Sequence, residues 1–438
     1  MKVNMRDIKD NDYNMLTILS YVDLPSSIKS SNGIENYYIG DMVSDYLKDE
    51  KKLLKLEGRC NMSYDEWKHV LQAIKSSNKL CSLKIVSYTN QDSTSYTNLK
   101  PKANGLVAYC FETSDYKAII DYRGSETRDK IGGEDWYDNF LLAFEIDTPQ
   151  QKAALEFFQC VKNRYGYTEF STIGHSKGGN DAQYVAVKVG QDIIKRTVTF
   201  DAPGFNFKFI ESNKRKICEI RSKIIAYMSY RDYVSSVLNN ISGHIISLKT
   251  DKVSTLRDNH KPNIFLKLIY NESGDAIGYK NFNNSYGGEK SKDILFSEIT
   301  LLTNILSVYE GKKEGAAFAD GIYNILLTKK DGKRRENFKQ LFKDRRFLCA
   351  VIVTMRNIKK YKDIIAYDYI FKEFKSRDSF LKKLKKLIMA EEANDICMLI
   401  CDLLENLSGG IYLLEETKEI LCKMKKIVSD KFEYQNYI

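Results

Sequence analysis

A chain of 438 residues exceeds the roughly 250 to 300 residues at which a single hydrophobic core stops growing, so its length predicts more than one compact part. Hydrophobic residues make up 43% of the chain and charged residues 29%, a balance that excludes widespread disorder. The net charge of +10 is spread along the chain without a nucleic-acid-binding motif, and we therefore expect no nucleic-acid partner.

The chain begins with charged and polar residues, and no apolar run reaches the length of a signal peptide or a membrane span. These features predict a cytoplasmic protein, with delivery as an effector by a route that needs no signal peptide left open. The 9 cysteines lack Cys-x-x-Cys pairs and histidines at zinc spacing, so we expect reduced thiols, no metal and no cofactor.

The first 80 residues have helical periodicity, which predicts a helical segment packed on the core. Helices are predicted from Asp12 to Val22, from Glu35 to about Leu56, and from a third start at Ser63. Ser63 and Glu66 have the spacing of a capping box, in which each side chain accepts from a backbone N–H of the first turn.

Residues 81–290 alternate between strand and helix patterns, which predicts a mostly parallel sheet covered on both faces. The predicted strands are Leu83 to Thr89, Gly105 to Phe111, Lys117 to Tyr122, Phe170 to Ile173, Thr197 to Phe200, Ile224 to Met228 and His244 to Leu248. The predicted helices are Pro149 to Tyr165, Ser176 to about Val189, and Phe207 to Asn213.

Polar residues from Asn281 to Lys290 indicate a boundary, and beyond it only helical periodicity remains. Residues 291–438 are therefore predicted to form a separate all-helical module. Its basic run from Lys382 to Lys386 could bind an anionic membrane surface, or could form the solvated face of a bundle helix.

The pentapeptide at residues 174–178, Gly-His-Ser-Lys-Gly, has the Gly-x-Ser-x-Gly pattern of a nucleophile elbow. It follows a predicted strand and precedes a predicted helix, which is the context that such an elbow requires. The pattern predicts a serine ester hydrolase that forms an acyl-enzyme on Ser176.

A serine hydroxyl needs a base and an orienting acid, which follow the serine in the chain order of α/β-hydrolases. Of the histidines after the elbow, His260 lies in a polar loop and is favoured, with His244 at the start of a strand as the alternative. Asp232 is favoured as the acid because it follows the strand ending at Met228, and Asp201 is its competitor.

An oxyanion in the reaction needs two hydrogen-bond donors. The backbone N–H of Lys177, directly after the nucleophile, supplies the first. Ser125, after an earlier strand, has the expected place for the second, with a plain surface turn as the alternative interpretation.

Four segments together resemble class 3 (fungal-type) lipases in order and approximate spacing. They are Arg123-Gly124-Ser125, the Gly-His-Ser-x-Gly-Gly elbow, Arg231-Asp232-Tyr233-Val234 and Asp258-Asn259-His260. The resemblance implies an α/β-hydrolase fold, an oxyanion role for Ser125, a catalytic His260 and a non-catalytic His244. The charged stretch between Ser125 and Trp136 argues against an apolar lid and against triglyceride as the substrate.

Over roughly residues 9 to 270 the chain is also similar to the Mbeg-like family of bacterial α/β-hydrolases of unknown function. That resemblance is carried by Asn11–Leu16 with Ser20-Tyr21, Asp135–Phe140, Gly174–Asn180 and Phe200–Phe205. Together these features favour hydrolysis of a lipid or phospholipid ester. The alternative is a catalytically inactive hydrolase-fold scaffold whose C-terminal module binds a partner protein or a membrane.

Overall fold

The computed structural model describes residues 3–25, 28, 34, 36–91, 105–125, 142–143, 145–229, 232–248, 250 and 258–280. The chain divides into two compact units, Met1–Lys290 and Ser291–Ile438. The predicted C-terminal helical module, its basic run and the Asp135–Phe140 segment lie outside the described residues, and the domain boundaries stay predictions.

Seven strands form the central sheet, in which each strand pairs with the next one along the chain. They are β1 (Lys84–Asn90), β2 (Val107–Glu112), β3 (Ala118–Tyr122), β4 (Phe170–His175), β5 (Ile194–Phe200), β6 (Ile224–Ser229) and β7 (His244–Leu248). The pairing is antiparallel from β1 to β3 and parallel from β3 to β7. The carboxyl ends of five parallel strands therefore share one edge of the sheet.

Helices cover both faces of this sheet. They are α1 (Asp10–Leu19), α2 (Ile39–Leu47), α3 (Glu50–Leu54), α4 (Tyr64–Lys75), α5 (Asn78–Cys81), α6 (Pro149–Tyr165), α7 (Lys177–Val189) and α8 (Phe207–Ile220). Strand side chains alternate between two apolar clusters: Ile119 and Ile173 join the N-terminal helices, whereas Ile120 and Phe170 pack with α6 and α7. This topology confirms the predicted α/β-hydrolase fold.

The N-terminal helix α1 is fully integrated into the core, since every residue from Asn11 to Leu19 is buried. Its polar side chains have partners on the sheet and beyond it. The Tyr227 hydroxyl on β6 donates to Asp10 at 2.6 Å, and the Asn14 side-chain amide donates to the Pro262 carbonyl at 3.1 Å. Asn14 thereby connects α1 to the segment that follows His260.

Several predicted bounds need correction. The long helix predicted to end near Leu56 is two helices, α2 and α3, because the Asp49 side chain accepts from the Lys52 N–H at 3.1 Å and caps a new start. The third predicted helix begins with the expected capping box at Ser63. Helix α8 continues to Ile220, seven residues beyond the predicted end at Asn213.

A two-stranded hairpin, β8 (Leu268–Tyr270) with β9 (Ala276–Tyr279), was not predicted from the sequence. Its turn contains Gly274 at φ +81°, a backbone conformation that glycine adopts without strain. The Gln72 side-chain amide on α4 donates to Asp275 at 2.7 Å, so the hairpin packs on the N-terminal helices. Among the described residues, no helix is both long enough and apolar enough to cross a membrane.

Candidate active site

Ser176 lies in the sharp turn between β4 and α7, with φ +55° and ψ −131°. This strained backbone is typical of a nucleophile elbow, which holds the serine hydroxyl above the edge of the sheet. The turn depends on two glycines: a Cβ on Gly174 would lie 2.4 Å from the Gly178 backbone, and one on Gly178 only 1.9 Å from the Tyr122 carbonyl oxygen. The sequence pattern therefore has a steric cause.

His260 connects the elbow to a carboxylate. Its Nε2 lies 2.9 Å from Oγ of Ser176, and its Nδ1 lies 2.7 Å from Oδ1 of Asp232. A proton on Nδ1 is donated to the carboxylate, which leaves Nε2 to accept from the serine hydroxyl. The three residues come from different parts of the fold: the elbow, the loop after β6, and a short 3-10 helix, Asp258–His260.

Asp232 is held rigidly for this contact. Its side chain is fully buried, and its second oxygen, Oδ2, accepts from the Ser235 backbone N–H at 2.6 Å. The Asp232 backbone N–H donates to the Ser229 carbonyl at the end of β6. One carboxylate oxygen is thus directed at His260 while the other is fixed to the backbone.

His175, the residue before the nucleophile, flanks the site. Its ring lies against that of His260, with centroids 4.8 Å apart and planes inclined by 35°. Its Nδ1 lies 2.8 Å from the Tyr21 hydroxyl, with which it shares a hydrogen bond. Burial, aided by the nearby His260, lowers the pKa of His175 well below its ordinary value, so this ring is neutral at pH 7.

Asp201, the competing acid, does not make the hydrogen bond to His260 Nδ1. It follows β5 in an unusual conformation at φ +46°, and its two oxygens contact Ser229 instead, at 2.7 Å to the backbone N–H and 2.8 Å to Oγ. Burial and the adjacent charge of Asp232 raise the pKa of Asp201 well above its ordinary value. Asp201 is nevertheless part of the same buried cluster.

His244, the alternative base, lies elsewhere. It is exposed and begins β7, where it pairs with Ile225 near the start of β6. Because β4, β6 and β7 run in the same direction, their starts lie at the sheet edge opposite the elbow. The geometry brings His260 and not His244 to Ser176.

The loop after β3 passes directly over the elbow. A Cβ on Gly124 would lie 2.4 Å from the Tyr21 hydroxyl oxygen, 2.6 Å from the His175 carbonyl oxygen and 2.9 Å from Cβ of Ser176. Glycine is therefore required for the approach, and Ser125 is the next residue along this loop. This is the place in which the sequence predicts the second oxyanion donor.

Lys177 is the first residue of α7, so its backbone N–H lies at the positive end of the helix and next to Ser176. Its side chain is directed away from the surface: Nζ is 2.7 Å from Oδ1 of Asp181, and both side chains are at most 1% exposed. The Lys177 ammonium group is thus paired inside the fold. The oxyanion role of the Lys177 backbone N–H stays a prediction.

Sequence reasoning missed a cluster of charges next to the loop after β3. Arg123, directly after that strand, donates to Asp23 at 2.8 Å, and Arg59 donates to the same carboxylate at 2.6 Å. Although burial alone would raise the pKa of Asp23, the two guanidinium groups hold it below its ordinary value. An arginine two residues before a predicted oxyanion donor was the available signal, but its partner is 100 residues away.

Three side chains of the cluster, His175, Asp201 and His260, bring nitrogen and oxygen atoms within 4.8 Å of one another. Both ring nitrogens of His260 already have partners, and both oxygens of Asp201 contact Ser229. Within the described part of the chain, this group therefore provides no open set of ligands for an ion. The expectation of no metal and no cofactor stays a prediction.

Residues 74–264 match the sequence model of the Mbeg1-like family. The match confirms the Mbeg-like resemblance drawn from the motifs; the bacterial origin stays a prediction. The matched range contains all of the candidate site residues, Ser125, Ser176, Lys177, Asp201, Asp232, His244 and His260, but not Tyr21. No curated protein matches the sequence.

Three solved lipase structures are similar at low identity. The Lip2 lipase from Yarrowia lipolytica is 11% identical, with 69% of this chain and 94% of that chain covered and a TM-score of 0.33. The M37 lipase is 12% identical, with 73% of this chain and 92% of that chain covered and a TM-score of 0.31. The Rhizomucor miehei lipase propeptide complex is 14% identical, with 51% of this chain and 74% of that chain covered and a TM-score of 0.24. The fold assignment itself comes from the strand order and pairing described above.

Proposed function

We propose that the chain is a serine hydrolase that cleaves a carboxylic ester through an acyl-enzyme on Ser176. The observation that carries the proposal is the pair of hydrogen bonds at His260, 2.9 Å to the Ser176 hydroxyl and 2.7 Å to Asp232. This is the constellation of a Ser-His-Asp triad, which is recognised by geometry and roles.

In the first half-reaction, Ser176 Oγ attacks the ester carbonyl carbon while its proton passes to His260 Nε2. Asp232 stabilises the imidazolium that forms. The backbone N–H of Lys177 and the Ser125 donor stabilise the negative oxygen of the tetrahedral intermediate. The intermediate collapses when the carbon–oxygen bond to the alcohol breaks, and His260 gives its proton to the leaving alkoxide.

Water completes the cycle. His260 takes a proton from a water molecule that attacks the acyl carbon, and the second intermediate releases the acid as the proton returns to Ser176. The neutral state of His175 supports this assignment, because a charged ring beside His260 would oppose formation of the imidazolium.

We extend the proposal to a lipid or phospholipid ester because the motifs resemble class 3 lipases and the Mbeg1-like match spans them all. Contact with an anionic membrane through the C-terminal basic run remains part of this hypothesis. The fold alone does not select the substrate, since hydrolase folds serve many chemistries.

A substrate panel tests the proposal. Wild-type protein is incubated with p-nitrophenyl esters of increasing acyl length and with anionic and zwitterionic phospholipid vesicles, beside Ser176→Ala as the matched control. We expect turnover by the wild type and a loss of at least 10³-fold in Ser176→Ala. Equal, background-level rates for both proteins on every ester would instead favour the inactive scaffold.

A further inference from the structure

The hydroxyl of Ser229, at the end of β6, lies between two oxygen atoms. It is 2.8 Å from Oδ2 of Asp201 and 3.0 Å from the backbone carbonyl oxygen of Asn259, the residue before His260. The Ser229 backbone N–H also donates to Oδ1 of Asp201 at 2.7 Å. Ser229, Asp201 and Asn259 are all buried.

A count of hydrogens discriminates between the two charge states of Asp201. A serine hydroxyl donates one hydrogen, and a carboxylate and a carbonyl only accept. If Asp201 were ionised, the Ser229 hydroxyl could donate its hydrogen either to Asp201 or to the Asn259 carbonyl. The other of these two oxygens would then face a lone pair of the Ser229 oxygen, and such a contact is unfavourable in a buried site. If Oδ2 carries a proton, it donates to Ser229 Oγ, and Ser229 donates to Asn259, so every contact is a hydrogen bond.

The charges around Asp201 favour the same state. In the part of the chain that the structure describes, three titratable groups face it: Asp232 from the loop after β6, His260 from its 3-10 helix, and His175 from the end of β4. Asp232 already has the hydrogen bond from His260, and His175 is neutral. Among the described residues, Asp201 has no cation of its own, so a second negative charge beside Asp232 would meet repulsion, which together with burial raises the pKa of Asp201.

We propose that Asp201 is a protonated carboxylic acid at neutral pH and that its hydrogen completes a chain, from Asp201 through Ser229 to the Asn259 carbonyl, that positions His260. Asp201 is a positioning residue in this scheme, because it acts through Ser229 and the backbone. The positioning role rests on the proposed hydrolase function, whereas the protonation is measurable without any substrate.

The first test measures protonation through stability. Asp201→Asn is close to isosteric with the neutral acid: its amide can donate to Ser229 Oγ while its oxygen accepts from the Ser229 N–H. In wild-type protein the unfolded state loses the Asp201 proton above pH about 4 while the folded state keeps it, so the protein becomes easier to unfold as pH rises. The asparagine variant lacks this effect.

Urea unfolding from pH 5 to 7 compares the two proteins, with the full chain used throughout. We expect the unfolding constant of the wild type, relative to Asp201→Asn, to rise about tenfold per pH unit. A ratio that stays constant over this range would show that Asp201 is ionised in the folded protein and would overturn the proposal.

The second test measures positioning through kcat. We expect Asp201→Asn to stay within about threefold of the wild type, because it restores the chain, and Ser229→Ala and Asp201→Ala to lose about tenfold, as for a lost buried hydrogen bond. A fall in Asp201→Asn as large as in Asp232→Asn would contradict the positioning role and identify Asp201 as a needed carboxylate. If the wild type turns over no ester, the hydrolase proposal fails, and the urea experiment still decides the protonation of Asp201.

Discussion

The Tyr21 hydroxyl lies 2.8 Å from Nδ1 of His175, so the N-terminal segment contributes directly to the candidate active site. Tyr21 also contacts the loop after β3, because a Cβ on Gly124 would lie 2.4 Å from its hydroxyl oxygen. One phenol thus touches both the ring that flanks His260 and the loop that carries Ser125. The N-terminal helices support the site as well as the core.

Replacement of Tyr21 by phenylalanine tests this support. Tyr21→Phe removes the hydrogen bond to His175, and we expect the free energy of unfolding to fall by about 1 kcal/mol and kcat for ester hydrolysis to fall about five- to tenfold. Tyr13→Phe is the matched control: it removes a buried hydrogen bond of 3.1 Å to Ser171 from the same segment without touching His175. Equal kcat values for the two variants would contradict the role given to Tyr21.

The close backbone contacts at the elbow glycines predict the effect of a methyl group added there. Gly178→Ala places Cβ 1.9 Å from the Tyr122 carbonyl oxygen, so we expect a loss of about 3 kcal/mol or more in the free energy of unfolding and loss of turnover. Gly278→Ala is the control, since its Cβ would contact only the end of Ile269 at 3.8 Å. Similar melting temperatures for both variants would argue against the elbow geometry.

The proposed oxyanion role of Ser125 is separable from folding. Ser125→Ala keeps the backbone N–H and removes the hydroxyl, and we expect kcat to fall about 10²-fold while KM changes little, because the lost contact acts on the transition state. Ser125→Thr, which keeps a hydroxyl, should retain most of the activity. A kcat for Ser125→Ala within threefold of the wild type would rule out the hydroxyl as the donor.

Asp121 on β3 gives a prediction about pH and stability. It is fully buried with no hydrogen-bond partner for either oxygen among the described residues, and burial raises its pKa well above the ordinary value despite nearby Arg123. The folded protein therefore keeps a proton that the unfolded chain loses above pH about 4, so Asp121 reduces stability as pH rises. Asp121→Asn should become more stable relative to the wild type by about 1.4 kcal/mol per pH unit above pH 4, until the pKa of the folded state is reached.

Asp115 serves as a control, because its pKa is shifted in the opposite direction to that of Asp121. Burial alone would raise the pKa of Asp115, but hydrogen bonds from Thr113 and the Met5 N–H lower it below the ordinary value. Its carboxylate stabilises the fold fully above the unfolded pKa of about 4, and this stabilisation is lost as pH falls below that value. The stability difference between the wild type and Asp115→Asn should therefore stay constant above pH about 4 and shrink below it. Urea unfolding between pH 3 and 8 measures both variants. Parallel pH curves for Asp121→Asn and the wild type would contradict the buried-acid assignment.

Local patterns were enough to predict the sheet and the elbow. The strand His244–Leu248 and the helix Pro149–Tyr165 have the predicted bounds, because their ends are marked by turn residues, by Pro149 and by Gly166 at φ +71°. The residues that meet at Ser176 were also selected from the sequence, because few histidines follow the elbow and strand ends predict where polar groups gather.

Contacts between distant segments could not be predicted in the same way. Tyr21 and His175 are 154 positions apart, and neither the helical pattern around Tyr21 nor the elbow motif indicates the other. The sequence favours Asp232 over Asp201 but does not show the contacts that separate them, because the two acids follow neighbouring strands. These contacts are made by two serines: Ser235 holds the carboxyl group of Asp232, and Ser229 holds that of Asp201.

Covalent labelling is the most direct test of Ser176 as the nucleophile. Wild-type protein, Ser176→Ala and Asp232→Asn are treated with a fluorophosphonate, and the adduct is located by peptide mass spectrometry. We expect one adduct on Ser176 in the wild type, none at that peptide in Ser176→Ala, and labelling slowed at least 10³-fold in Asp232→Asn, since His260 would lose its orienting carboxylate. Folded wild-type protein that reacts no faster than Ser176→Ala would contradict the hydrolase assignment.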